Sequence, residues 1–311
     1  MTLSDKRMMD LCRCADGRAD VVFDSDTYNE IDDQFAIAYA LRNPEKLNIL
    51  GFTCAPFRKV SRAATIAEGI VKSCEEVRTV LRLSGEEKFL GRVYPGCESF
   101  LPDEYTPVNS AAVDFLVTLS KGYTRDKPLY VLATGAVTNI ASAILKEPRI
   151  TERICVIWLG GSAFGWWENY EYNMRQDIAA ARVLIGSDVP LVQIPAQGVT
   201  SELVASEAEL ACWLKGKNAI CDFLYENSAN YMRGRSPFKA WSKVIWDIVV
   251  PAWLLGGDGR FMNGRVEFRR LPDYNSHTYG PPTESRMVYV YEVYRDALMN
   301  DLFEKLGGTK L

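Results

Sequence analysis

Histidine is almost missing: the 311 residues contain one, His277, in the turn-rich stretch PDYNSHTYGPP. A Ser-His-Asp or Cys-His nucleophile therefore has a single candidate base, and a surface-loop histidine is the better reading of it. Zinc is equally short of ligands. None of the eight cysteines forms a CxxC pair, and Cys12 and Cys14 make only a CxC. They read as reduced thiols, several of them buried as small hydrophobes. There is no basic surplus, with 36 Lys and Arg against 40 Asp and Glu and a net charge of −4. Nucleic acid is thereby excluded as a main partner. No apolar run reaches the ~18 residues of a membrane span. The opening MTLSDKRMMD lacks the apolar core of a signal peptide, so a cytoplasmic protein is expected. Repeats, low-complexity tracts and linker-like breaks are also lacking.

What is present is the composition of a globular chain, 48% hydrophobic and 24% charged. The expectation is one domain over residues 1–311, with 1–18 as a peripheral N-terminal segment. Short apolar runs at 21–23, 47–53, 129–133, 154–159 and 191–194 read as strands. Helical patterns at 33–42, 61–78, 111–121, 137–146 and 178–185 alternate with them, and 84–109 reads as a long loop. From about residue 203 the pattern is helical, with a late strand at 286–292 and a closing helix at 296–306. Such alternation predicts an α/β fold with a mostly parallel, open twisted sheet flanked by helices and a helical C-terminal portion. Ligands of such sheets sit beyond the carboxyl ends of the strands, so the residues there carry the functional reading.

The segment DSDTYNEIDDQFA, residues 24–36, puts five carboxylates directly after the first strand. Asp32 and Asp33 open the next helix, where the dipole favours negative charge. A plain helix cap accounts for one aspartate. It does not account for Asp24 and Asp26 at the strand end. Carboxylates packed this closely repel one another unless protonated or bridged by a cation. Oxygen ligands in this number suit calcium or magnesium. A DxD at this place is compatible with a haloacid-dehalogenase phosphatase or with a nucleoside hydrolase, whose motif runs DTDxGxDD.

Three further segments favour the second. Ala133-Thr134-Gly135-Ala136-Val137-Thr138-Asn139 follows one strand. Gly160-Gly161-Ser162 through Glu171-Tyr172-Asn173 follows another. SKVIWD, residues 242–247, places Asp247 in an otherwise apolar run that reads as helical, where an isolated carboxylate is costly unless it faces a cation. Together these resemble the inosine–uridine-preferring nucleoside hydrolases over about residues 20 to 310. DSDTYNEIDDQFA and SKVIWD resemble those of a bacterial subgroup.

The resemblance implies a nucleoside-hydrolase-like fold and hydrolysis of the N-glycosidic bond of a ribonucleoside or related riboside. It implies a calcium ion bound by Asp26, Asp33, the Thr134 carbonyl and Asp247, a metal-activated water, and Asp26 as general base. Asp32, Glu171 and Asn173 are expected on the ribose, and Asp24 behind the ligands as support. A homodimer or homotetramer is also implied. Two extra residues between Asp26 and Asp32 are expected either to bring Asn29 or Glu30 into the site or to shift one ligand. The family's upstream ribose-binding Asn falls on about Gly165, near Trp166, Trp167, Glu168 and Asn169. Trp246 stands where many members carry a histidine serving the leaving base, and is expected to stack on the base or wall the pocket without transferring a proton. A nucleoside- or ribose-binding protein with little hydrolytic power is the alternative. The phosphatase is a distant third, with a late acidic motif sought at Gly256-Gly257-Asp258-Gly259.

Overall fold

A computed structural model describes residues 4–14, 17–59, 61–256, 259–275 and 277–308. Helix α1 (Asp5–Arg13) precedes strand β1 (Ala19–Ser25), and α2 (Asp32–Leu41), β2 (Leu47–Cys54), α3 (Ile66–Leu83) and the two-residue β3 (Val93–Tyr94) follow. Next come α4 (Ala111–Ser120), β4 (Leu129–Ala133), α5 (Thr138–Lys146), β5 (Ile154–Leu159), α6 (Tyr172–Gln176), α7 (Ile178–Gly186) and β6 (Leu191–Ile194). The chain then runs through β7 (Val204–Ser206), α8 (Glu207–Leu214), α9 (Ala219–Arg233), β8 (Ser242–Val244) and α10 (Val249–Leu255). It closes with β9 (Met262–Pro272), β10 (Tyr279–Val293) and α11 (Arg295–Gly307).

Eight strands form one open sheet in the order β3-β2-β1-β4-β5-β6-β10-β9, parallel except for β9. The central strands are buried on both faces, which is why they read as unbroken apolar runs. Alternate side chains feed two cores: Val21 and Phe23 enter one, Val22 the other. The N-terminal segment, expected to be peripheral, contributes α1, which lays Met8, Leu11 and Cys12 into the protein. Tyr130 Oη donates to the Leu11 carbonyl at 2.8 Å and Trp253 Nε1 to that of Cys12 at 2.6 Å.

Four expectations are corrected. Helix α3 starts at Ile66, not Ser61, because Thr65 caps it by accepting from the Glu68 amide. The 84–109 loop contains a 3-10 turn and edge strand β3. The stretch around Asp247 is not helical: Ser242–Val244 pairs antiparallel with Val204–Ser206, and the helix begins only at Val249. That ladder carries Asp247 back over the sheet. The late strand expected at 286–292 is longer, β10 at Tyr279–Val293, and pairs antiparallel at the sheet edge with β9, which was not expected. Arg269 anchors β9, donating to the carbonyls of Arg286, Ile185, Ser187 and Val189.

Strand order reverses between β1 and β4, and this switch point is pinned by Asn139 near the start of α5. Its Nδ2 donates to Asp24 Oδ1 at 2.8 Å and to the Cys54 carbonyl at 3.1 Å, while its Oδ1 accepts from the Cys97 amide at 2.9 Å. Gly96 makes the approach possible, because a Cβ there would fall 1.8 Å from the Cys54 oxygen. Asn139→Ala leaves Asp24 with Thr53 alone. A loss of about 2–4 kcal/mol in denaturant unfolding is expected. A control at Asn109, on the surface, should stay within about 0.5 kcal/mol. Equal effects at the two positions would remove Asn139 from its role.

Candidate active site

A cavity of about 240 Å³ opens at the switch point. Residues after β1 and at the start of α2 supply Asp26, Asn29, Glu30, Asp32 and Asp33. Thr134 comes from the end of β4, and Leu159 from the end of β5. Glu171, Tyr172 and Asn173 form one wall at the start of α6, Ala196 and Gln197 follow β6, and Trp246 and Asp247 arrive from the turn after β8. Every residue expected to touch metal or substrate lines this cavity. Asp24 lies beneath it, fully buried, accepting from Thr53 Oγ1 at 2.6 Å and from Asn139.

One carboxylate oxygen each from Asp32, Asp33 and Asp247 lies within 4.8 Å of the others. Asp33 Oδ1 is held by the hydroxyls of Ser25 at 2.7 Å and Thr134 at 2.8 Å. Asp32 Oδ2 accepts the Trp246 backbone amide at 3.2 Å. Asp32 Oδ1 and Asp26 Oδ2 are buried and accept no hydrogen bond. The Thr134 carbonyl accepts Asn173 Nδ2 at 3.0 Å, which leaves one lone pair. The closest trio thus includes Asp32, which the family pattern had put on the sugar, and not Asp26.

Burial pushes Asp33 up to about 7, and the neighbouring Asp32 adds to it. Asp26 is raised well above the usual carboxylate range by burial, then by Asp33 and Asp32. Asp247 is raised likewise by burial and by Asp32, Asp33 and Asp26. Beneath them, burial lifts Asp24 to about 6 against its two donors. Oxygen donors, orphaned buried lone pairs and mutual repulsion are together what a hard divalent cation relieves, so the residues present fit one.

The Glu171 wall is preorganised. Glu171 caps α6, with Oε1 accepting from the Asn173 amide and Oε2 from the Gly161 and Met174 amides. Gly161 takes the left-handed φ of +81° that this turn requires. Asn29 donates its amide to the Asp26 carbonyl, while its buried Oδ1 is uncommitted. Trp246 is partly buried on the rim. Glu168 does not line the cavity; it faces exposed His277, whose ring stacks on Tyr170. Asn169 is buried, and its Oδ1 accepts from the Ser162 amide at 2.8 Å. Sequence reasoning missed Gln197, although its place just past a strand end was a signal, and it missed Lys59 and Lys243, which pair with Glu30. Of the late acidic motif considered for a phosphatase, Gly257 and Asp258 lie outside the described residues.

A family model described as inosine-uridine preferring nucleoside hydrolase matches residues 21–291, and the chain belongs to that family. Pyrimidine-specific ribonucleoside hydrolases RihA are similar in part. That of Escherichia coli O1:K1 / APEC is 27% identical over 182 residues, covering 52% of this chain and 55% of the relative. That of Citrobacter koseri is 29% identical over 192 residues, covering 55% and 58%. The chain therefore spans about half the length of these curated relatives. Among solved structures, a plant nucleoside hydrolase, PpNRh1, superposes with a TM-score of 0.74 at 18% identity, covering 94% of this chain and 99% of that one. A purine-preferring ribonucleoside hydrolase from Gardnerella vaginalis gives 0.70 at 20%, covering 93% and 98%. At these identities the likeness is one of fold.

Raised carboxylates make stability depend on pH. Stripped of cations, the folded chain keeps protons on Asp33 up to about 7 and on Asp24 up to about 6, whereas unfolded carboxylates lose them near 4. The native state binds more protons in that window, so stability falls as pH rises from about 4 to about 7. Glu30 acts oppositely: burial raises it, but Lys243 and Lys59 outweigh burial and bring it down to about 2, so its effect lies at more acid pH. A cation must displace the protons. Calcium should therefore raise the melting temperature of the EDTA-treated chain far more at pH ~8 than at pH ~5. An equal rise at both would contradict this.

Proposed function

We propose that this chain, acting as a single domain, hydrolyses the N-glycosidic bond of a ribonucleoside or related riboside to free base and ribose, with calcium held by Asp26, Asp33, Asp247 and the Thr134 carbonyl. The observation that carries the reading is the carboxylate-lined cavity at the sheet's switch point, in a member of this family. A bound divalent cation would supply the charge that acidifies a water and fixes sugar hydroxyls. Asp26 accepts that water's proton. Its buried Oδ2 is uncommitted, and the residue lines the cavity. Asp32, Asn29 and Asn173 orient the sugar hydroxyls against the Glu171 turn. The carboxylates then face the positive charge that develops on the ribosyl ring as the bond breaks.

Specificities named for similar proteins diverge, pyrimidine in the RihA enzymes and purine in the Gardnerella protein, and their common element is the ribosyl group. A cytoplasmic homodimer or homotetramer completes the reading, by resemblance to the family. Among the described residues no helix is long and apolar enough to cross a membrane.

The identity of Trp246 favours a second reading, a riboside-binding protein with weak hydrolysis, because an indole cannot protonate a departing base near neutral pH. Two experiments decide. Asp26→Asn should lower turnover ~100- to 10,000-fold while sugar affinity changes little; near wild-type turnover would remove Asp26 as the base. A nitrophenyl riboside, whose leaving group needs no acid, should be cleaved much faster than inosine, and Trp246→Phe should leave the pH profile unchanged. Equal rates on the two substrates would contradict the missing acid. Ribose binding with no cleavage of either would favour the binding protein.

A further inference from the structure

The carboxylate cluster has a cation of the chain's own beside it, paired with Glu30 of the cavity lining. Lys243 is 9% exposed, and its Nζ donates to the Val244 carbonyl at 2.7 Å. It lies 3.0 Å from Glu30 Oε2 and 3.8 Å from Asp32 Oδ1, the buried oxygen that accepts no hydrogen bond. The other oxygen of Glu30 accepts Lys59 Nζ at 2.7 Å. Glu30 belongs to the longer connection between Asp26 and Asp32, and Lys243 stands in β8, four residues before Asp247. Burying an ammonium is costly unless it is paired, and Glu30 provides the pair. Asp32 receives only the longer, electrostatic contact.

We propose that Lys243 is a positioning residue and the site's internal counter-charge: held back by Glu30, it orients Asp32 and offsets part of the negative charge of Asp32, Asp33 and Asp247, so that the Glu30–Lys243 pair sets the affinity for the divalent cation. This rests on the cation reading given above. The pair has opposite effects through its two members. Removing the lysine leaves the carboxylates uncompensated, and an added cation is held more tightly. Removing the charge of Glu30 leaves Asp32 as the nearest carboxylate to the ammonium. Lys243 then closes on Asp32 and competes with the cation. Coulomb energies at these separations are large enough for either change to exceed tenfold in affinity at an effective dielectric of about 20. A lysine that merely packed the wall would, on either substitution, loosen the site and weaken binding.

The test is calorimetric titration of calcium chloride into the EDTA-treated full chain at neutral pH, for wild type, Lys243→Met and Glu30→Gln. The dissociation constant should fall about 10-fold in Lys243→Met and rise about 10-fold in Glu30→Gln. Should Lys243→Met fail to fold, Lys243→Gln takes its place with the same expected sign, and the rise in Glu30→Gln is read independently. Shifts in the same direction, or no shift, overturn the counter-charge while leaving the cation site standing. No calcium binding to wild type overturns the cation reading and this inference with it.

Discussion

The burial of neighbouring carboxylates is the constraint around which this molecule is organised. Asp24, Asp26, Asp32, Asp33 and Asp247 are all removed from water at one end of the sheet. Burial raises the proton affinity of each, and neighbouring aspartates raise it further at Asp26, Asp33 and Asp247. A fold tolerates this only when the charges are answered. Hydroxyls answer Asp33, an amide and a hydroxyl answer Asp24, and a backbone N–H with a distant ammonium answers Asp32. Asp24 Oδ2, Asp26 Oδ2 and Asp32 Oδ1 remain without a donor, and of these residues Asp26 and Asp32 line the cavity, where their lone pairs fit a cation.

The supporting layers explain why such an arrangement holds its shape. Below the site, Asn139 stitches β1, β2 and the segment before α4 together at the point where the sheet changes direction. To one side, the Glu171 carboxylate is spent on three backbone amides, which fix that wall of the cavity. Above, the two-stranded ladder of β7 and β8 returns the chain over the sheet and delivers Lys243 and Asp247 side by side with residues far earlier in the sequence. Function at such a site depends on where charge is placed before reaction, which is the source of most catalytic stabilisation in polar sites.

Much of this was legible from residue order. Strands β4, β5 and β6 match their apolar runs because central parallel strands are buried on both faces. Asp26 and Thr134 sit just past strand ends, and Asp32, Asp33, Glu171 and Asn173 at the starts of the helices that follow, where ligands of open α/β sheets collect. Strand β9 was not legible: MNGRVEFRRLP carries three arginines and shows no clean alternation. Its order comes from pairing with β10 and from carbonyls that solvate Arg269 inside the protein. The apolar run around Asp247 mimicked a helix because its real partner, β7, lies about forty residues upstream. The Lys59–Glu30–Lys243 chain was invisible for the same reason, since three charged residues distant in sequence meet only after folding.

The central claim is that one divalent cation sits among these carboxylates with the sugar against it. Crystals of the full chain grown with calcium and ribose test it most directly, by anomalous scattering. The account predicts a single peak within ~2.3–2.6 Å of carboxylate oxygens of Asp33 and Asp247, with ribose density between it and the Asn173 wall. A cavity holding only water at saturating calcium, or a peak on other residues, would contradict it.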